Sequence, residues 1–205
     1  METAILEENV RTRTLTLADI LVPPAEKTDL LREALLVLGG ALLVSLLAQW
    51  EARLPFSPVP VTGQTLGVLL AGAALGGRRA FQAMLLYLGA GVAGLPLFSG
   101  GAAGPAWLLG PTGGYLAAFP LAAWTAGRLA ERGWDRSPWK ALAAMAAGNL
   151  ALYLPGLAWL SLYVGPAQAP ALGLTPFLVG DLAKIVLAAA LLPGAWRLLG
   201  KESRR

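Results

Sequence analysis

The sequence predicts an all-α membrane protein with six transmembrane helices and both termini in the cytoplasm. Of its 205 residues, 56% are hydrophobic and 14% are charged, with a mean hydropathy of +0.61, a balance untypical of a water-soluble domain. The apolar residues form six segments, and most Lys and Arg residues lie in alternate loops between them. Composition, segmentation and charge placement together indicate this fold class.

The sequence contains no cysteine and no histidine. This composition argues against disulfide frameworks, thiolate nucleophiles, imidazole bases and the usual zinc or haem ligands. We therefore expect no cofactor, no metal site and no enzymatic activity. The net charge of +4 comes from basic residues in short loops, as membrane topology requires, and we expect no nucleic-acid partner.

A spanning helix needs about 20 mostly apolar residues. Six segments meet or approach this length, of which the second and third are short and rich in Gly and Ala: 34–50, 61–76, 80–97, 113–129, 139–164 and 176–199. Residues 1–33 are predicted to form a cytoplasmic tail, in which 14–22 are either a short interfacial helix ended by Pro23-Pro24 or loosely ordered. Residues 200–205 form the second cytoplasmic tail.

Lysine and arginine set the orientation of the segments. They occur in both tails, in the second loop and in the fourth loop, whereas the first, third and fifth loops contain only Arg53. The latter three loops are therefore expected outside the cell. Residues 54–64 are rich in Pro and residues 94–115 are rich in Gly. Irregular backbone at membrane depth must be buried by protein or lined by water, so we expect both loops to cover a pocket beside helix six.

Asp181 and Lys184 are the only charged side chains that the apolar segments enclose away from their cytoplasmic ends. A charge in the hydrocarbon region costs about 2.5 to 3.5 kcal/mol on insertion scales and usually faces a partner or a cavity. Because the two residues are three apart, they share one face of a helix. The pair is either an internal ion pair that fixes helix six or a ligand site, and the two interpretations can coexist.

Further candidates for ligand contact lie nearby. The stretch Gly110–Tyr115 is either a turn that starts helix four or a place where backbone N–H groups approach an anionic or carbonyl-bearing ligand. On helix five, Tyr153, Trp159 and Tyr163 can line a cavity, whereas the other tryptophans fit an interfacial belt. Asn149 either bonds a neighbouring helix or contacts the ligand.

Helix one carries small residues at a four-residue spacing, namely Gly40, Ala41 and Ser45. Small residues let helix backbones approach closely in a membrane. This stripe therefore packs either inside the bundle or against another membrane protein.

Four motifs in combination resemble the BioY family, the biotin-specific substrate-binding (S) components of energy-coupling factor (ECF) transporters. They are PVPVTGQTLGVLLAGAALG at 58–76, GLPLFSGG at 94–101, GPTGGYL at 110–116 and GDLAK at 180–184. The resemblance covers roughly residues 34–199. It implies the six-helix ECF S-component fold for this biotin-binding domain, with a substrate pocket open to the outside.

The resemblance assigns biotin contacts to the Gly-Asp-x-x-Lys motif and to the glycine-rich loop before helix four. The third loop of the family often offers further polar or basic side chains, and this chain has Ser99 and no basic residue there. With the candidates from helix five, the predicted biotin-binding residues are Asp181, Lys184, Tyr115, Gly113, Gly114, Thr112, Ser99, Trp159, Tyr163 and Asn149.

Family membership further implies three partner proteins: a transmembrane coupling (T) component and two ATP-binding subunits, which reorient the loaded S component in a prokaryotic plasma membrane. Helix one, with Gly40, Ala41 and Ser45, is the expected contact with the T component, and membrane lipid surrounds the remainder. Two alternatives stay open, an S component for thiamine or riboflavin and a self-sufficient secondary carrier that uses Asp181 as a relay.

Overall fold

The computed structural model describes residues 15–22 and 29–202, and most of these residues are helical, which confirms the all-helical class. The helices in chain order are α1 Leu17–Leu21, α2 Asp29–Ala48, α3 Gln64–Leu75, α4 Gly77–Val92, α5 Gly113–Ala130, α6 Pro138–Val164, α7 Ala169–Gly173 and α8 Leu178–Glu202. Two short strands, β1 Glu51–Ala52 and β2 Val61–Thr62, pair antiparallel between α2 and α3. The six predicted apolar segments correspond to the six long helices α2 to α6 and α8.

Three of the described helices are long and apolar enough to cross a membrane: Leu30–Ala48, Pro138–Val164 and Leu178–Leu199. By contrast, α3 has 12 residues and a length of about 18 Å, which is shorter than the hydrocarbon core of about 30 Å. The helices α4 and α5 have 16 and 18 residues. Helix α5 packs against α3, α4 and α6 at the centre of the bundle.

A glycine separates α3 from α4. Gly76 has a φ of +83°, a conformation that glycine adopts without steric cost, and the N–H of Gly77 donates to Oε1 of Glu131 at 2.9 Å. The division predicted at this position is confirmed. Arg78 and Arg79 were predicted to lie in the loop between the second and third segments. They instead belong to the first turn of α4, which begins at Gly77.

The short helix α1 is held against α2 and α4 by ion pairs. The carboxylate of Asp19 accepts from Arg32 at 2.9 Å and from Arg79 at 2.8 Å, and Thr16 caps the helix. Burial alone would raise the pKa of Asp19, but the hydrogen bonds from Arg32, Arg79 and Thr16 outweigh this effect and lower it. Of the two predictions for residues 14–22, a helix is observed, at Leu17–Leu21; Thr14 and Pro23-Pro24 lie outside the described residues.

The small-residue stripe of α2 packs inside the bundle. Gly40, Ala41 and Ser45 are all buried, and a Cβ added at Gly40 would lie 2.6 Å from Cδ1 of Leu75 and 3.0 Å from Cβ of Ala83. Of the two alternatives for this stripe, packing inside the bundle against α3 and α4 is the one observed. Contact of Gly40, Ala41 and Ser45 with a T component stays a prediction.

Adjacent glycines in α2 allow a matched test of this packing. Gly40→Leu is expected to destabilise the bundle by about 1 to 3 kcal/mol, the usual cost of overfilling a packed core. Gly39→Leu should not destabilise the bundle, because a Cβ at Gly39 meets no heavy atom within 4 Å and leucine favours helix more than glycine does. Thermal unfolding in detergent measures both variants. Equal melting temperatures for the two would contradict the buried position of the stripe.

Candidate functional site

A cavity with an empty volume of about 600 Å³, counting its open mouth, lies at one end of the bundle. Its walls come from the β1–β2 hairpin and the start of α3, from the loop before α5, from α5 and α6, from α7, and from the start of α8. Much of the lining is aromatic or aliphatic: Phe98, Trp107, Tyr115, Phe119, Leu152 and Phe177. A concave, mostly apolar space with a few polar groups is typical of a small-molecule site.

Asp181 is the centre of the polar part of this cavity and is only 4% exposed. Its Oδ1 accepts from Nζ of Lys184 at 2.9 Å and from the hydroxyl of Thr65 at 3.4 Å. Its Oδ2 accepts from Nδ2 of Asn149 at 3.2 Å and from the hydroxyl of Tyr153. A carboxylate has about four acceptor positions, so protein donors alone occupy those of Asp181.

Lys184 lines the cavity and is the donor of the pair. Its Nζ donates to Thr65 at 2.9 Å as well as to Asp181. Because an ammonium group has three N–H bonds, one of them is left for a ligand. The carboxylate of Asp181 fixes the position of Lys184, and the pair therefore presents a hydrogen-bond donor to the cavity.

Tyr115, at the start of α5, is wedged between two glycines. A Cβ at Gly156 would lie 2.4 to 2.7 Å from three ring atoms of Tyr115, and a Cβ at Gly173 would lie 2.3 Å from its hydroxyl oxygen. That hydroxyl donates to the carbonyl of Gly173 at 2.9 Å. The tyrosine ring thus joins α5, α6 and α7 behind one wall of the cavity.

Gly113 and Gly114, the first two residues of α5, permit close contact with the preceding loop and with α6. A Cβ at Gly114 would lie 2.2 Å from Cβ of Trp159, and a Cβ at Gly113 would lie 1.9 Å from the carbonyl oxygen of Leu108. The N–H of Gly113 donates to the carbonyl of Gly110 at 3.0 Å. This N–H is therefore used within the turn, which agrees with the first of the two alternatives for this stretch.

Trp159 and Tyr163 hold the same loop from α6. The indole N–H of Trp159 donates to the carbonyl of Gly110 at 2.9 Å, and the hydroxyl of Tyr163 donates to the carbonyl of Leu109. Both side chains thus bind the glycine-rich loop that contributes Trp107 and Thr112 to the cavity.

The structure places the ten predicted site residues in two groups, one that lines the cavity and one that lies outside its lining. Five of them line the cavity: Asp181, Lys184, Tyr115, Thr112 and Ser99. The other five lie outside the lining: Asn149, which donates to Asp181, and Gly113, Gly114, Trp159 and Tyr163, which support the loop. Contact of any of the ten with biotin stays a prediction.

Several lining residues were absent from the predicted set. Trp107, which fitted an interfacial belt, faces the cavity, as do Thr62 and Thr65 from the first loop and the start of α3. Gln64 also contributes, with its Nε2 donating to the hydroxyl of Tyr87 at 2.6 Å. The signal that could have identified Thr62, Gln64 and Thr65 is the run of polar side chains in PVPVTGQT, which interrupts an otherwise apolar stretch.

The sequence matches the BioY family over residues 14–201. It is 38% identical over 165 residues to the biotin transporter BioY of Rhizobium etli, covering 77% of this chain and 88% of that protein. It is also 36% identical over 167 residues to the biotin transporter BioY2 of Lactococcus lactis subsp. cremoris, covering 79% of this chain and 88% of that protein.

A solved structure shares the fold. The crystal structure of the S-component for biotin from an ECF-type ABC transporter superposes with a TM-score of 0.72 at 21% sequence identity, over 85% of this chain and 95% of that one. The helical bundle described above is thus the fold of an ECF S component.

Proposed function

The chain belongs to the BioY family, and on that premise we propose that it is an S component that captures biotin for ATP-driven uptake. It is a transport protein and not an enzyme. The observation that carries the proposal is the ordered cluster of Asp181, Lys184 and Thr65, set in the wall of a mostly apolar cavity. Such a site suits a small ligand that has both an apolar body and a polar head.

The proposed topology has six membrane-spanning helices, α2 to α6 and α8, with both termini in the cytoplasm of a prokaryotic cell. It is supported by the concentration of Lys and Arg in alternate loops. The shortness of α3 is compatible with this topology, because most of its residues are buried by neighbouring helices. Residues 34–199 then form the biotin-binding domain, and the cavity opens to the extracellular side.

The ureido ring of biotin is proposed to bind at Asp181 and Lys184. Lys184 has one N–H left for the ureido oxygen. A ureido N–H reaches Asp181 by displacing Thr65, whose hydrogen bond to the carboxylate is the longest of the four at 3.4 Å. The aromatic lining covers the apolar bicycle, and the valerate extends toward the mouth.

Uptake is proposed to require a T component and two ATP-binding subunits. The sequence contains no phosphate-binding loop of the Walker A type, so ATP-driven uptake requires ATP-binding partner proteins. Since Gly40, Ala41 and Ser45 are buried, the face of α2 left for a T component is the exposed one that carries Gly39, Leu38 and Leu42. Loss of T-component co-purification in Gly39→Leu, with biotin binding intact, would support contact at this face.

Titration of the detergent-purified chain with biotin, desthiobiotin, thiamine and riboflavin tests the substrate. We expect biotin to bind at least about a hundredfold more tightly than thiamine or riboflavin, because a site of buried polar groups rejects ligands that leave those groups unpaired. Desthiobiotin retains the ureido group but lacks the sulfur atom, and about tenfold weaker binding is expected from lost apolar contact. Tighter binding of either other vitamin would overturn the assignment.

Transport by reconstituted vesicles separates the S component from a self-sufficient carrier. The chain alone should bind biotin without accumulating it, and ATP-dependent uptake should appear when the T component and both ATP-binding subunits are added. Accumulation of biotin by the chain alone, driven by a proton gradient, would favour the secondary carrier.

A further inference from the structure

A second polar group lies in the cavity wall, contributed by the loop between α4 and α5. Ser99 lines the cavity and is 4% exposed, and its hydroxyl donates to Oε2 of Glu51 in β1. The carboxylate of Glu51 lies over the backbone of Gly100, where an added Cβ would approach Oε1 within 2.5 Å. Gly100 has a φ of +61°, so glycine is favoured at this position for conformational reasons as well. Glu51 thus joins the first loop to the third beside the cavity.

The hydrogen bond to Glu51 determines what Ser99 offers to a ligand. A serine hydroxyl has one proton and two lone pairs, and here the proton is given to the carboxylate. Toward the cavity, Ser99 therefore presents lone pairs only. At Ser99 the wall therefore accepts N–H and O–H groups and offers no hydroxyl proton to a carboxylate.

The charge around Ser99 also disfavours a carboxylate at this position. The side chain of Glu51 is 16% exposed, whereas its partner Arg53, whose Nε lies 2.9 Å from Oε1 of Glu51, is 72% exposed. Solvent screens an ion pair with so exposed a partner, so Arg53 offsets only part of the negative charge beside the cavity. Among the described residues that line the cavity, Lys184 is the only cation, and it is bonded to Asp181 and Thr65.

We propose that Glu51 acts through Ser99 as a specificity determinant for the tail of the ligand, so that the site takes biotin amides at least as well as free biotin. The inference rests on the proposed function, in which the ureido ring binds at Lys184 and the tail extends toward the mouth. An amide tail offers an N–H to Ser99 and adds no negative charge near Glu51. A free valerate instead brings a negative charge close to Glu51 and to a serine whose proton is already donated.

The ratio of the dissociation constants of biotinamide and biotin tests this proposal. In the parent protein, biotinamide should bind as tightly as biotin or up to about tenfold more tightly. Glu51→Gln removes the charge but keeps a carbonyl that accepts from Ser99. In this variant biotin should gain affinity relative to biotinamide by about tenfold, so that the ratio of the two dissociation constants rises by that factor. This is the size expected from removing one partly screened charge at short range.

Ser99→Ala provides the second variant. It removes the acceptor, so biotinamide should lose affinity while biotin changes little. A parent that binds biotinamide more weakly than biotin would overturn the proposal, as would a ratio that is the same in the parent and in Glu51→Gln. Failure of the parent to bind either ligand would instead contradict the proposed function, so the two failures are distinguishable.

Discussion

Replacing Asp181 with asparagine is expected to weaken biotin binding by about a hundredfold or more. The carboxylate accepts from Lys184, Thr65, Asn149 and Tyr153, whereas an asparagine amide would direct an NH₂ group at two of these donors. Breaking a buried ion pair by removing one partner costs about 3 to 5 kcal/mol, and about 1.4 kcal/mol corresponds to a tenfold change in affinity. Isothermal titration calorimetry in detergent measures the loss.

A second buried aspartate provides the matched control. Asp135 is 1% exposed and accepts from Nε1 of Trp196 at 2.5 Å, at the opposite end of α8 from Asp181. Burial raises the pKa of Asp135, and the hydrogen bond from Trp196 opposes the shift. Asp135→Asn should leave the dissociation constant of biotin within about twofold of the parent, since a residue so far from the site has no shared partner with it.

Two outcomes would contradict this view of Asp181. Binding of biotin by Asp181→Asn as tightly as by the parent would exclude Asp181 from the site. If Asp135→Asn lost as much biotin affinity as Asp181→Asn, replacement of a buried aspartate would weaken binding wherever it lies. The effect at Asp181 would then reflect general destabilisation of the fold.

Hydropathy and glycine positions made most of the helix order predictable. Six apolar segments became six long helices, and the division at Gly76 followed from the Gly-Gly-Arg-Arg sequence, because glycine there permits a positive φ. The pairing of Asp181 with Lys184 was also predictable, since residues three apart lie on the same face of a helix. Each of these inferences depends on residues that are close in the sequence.

Contacts between distant segments were beyond prediction. Small residues at Gly40, Ala41 and Ser45 indicate close packing, but their spacing is the same whether the neighbour is α3, α4 or another protein. A threonine such as Thr65 in an apolar stretch gives no sign that it will face Lys184, which lies 119 residues later. Trp159 was predicted to contact biotin for its aromatic surface, whereas its indole N–H binds the carbonyl of Gly110.

Replacing Gly156 with alanine is expected to weaken biotin binding between about tenfold and a hundredfold, although Gly156 does not line the cavity. The new Cβ would lie 2.4 to 2.7 Å from three atoms of the Tyr115 ring, too close for the ring to stay in place. Overfilling a packed site typically costs about 1 to 3 kcal/mol. Because Tyr115 forms part of the cavity wall and binds Gly173, its displacement should alter the site. Calorimetric titration gives the affinity and thermal unfolding the stability.

Gly89→Ala is the control for a glycine in a helix, because a Cβ at Gly89 meets no heavy atom within 4 Å. It should bind biotin like the parent and be slightly more stable, since alanine favours helix more than glycine does by about 1 kcal/mol. A double-mutant cycle then isolates the ring: in a Tyr115→Ala background, Gly156→Ala should change biotin affinity by less than about twofold. If Gly156→Ala caused the same loss of biotin affinity in that background, Gly156 would act on the site independently of Tyr115. The packing of the Tyr115 ring between Gly156 and Gly173 would then not be what positions this part of the cavity wall.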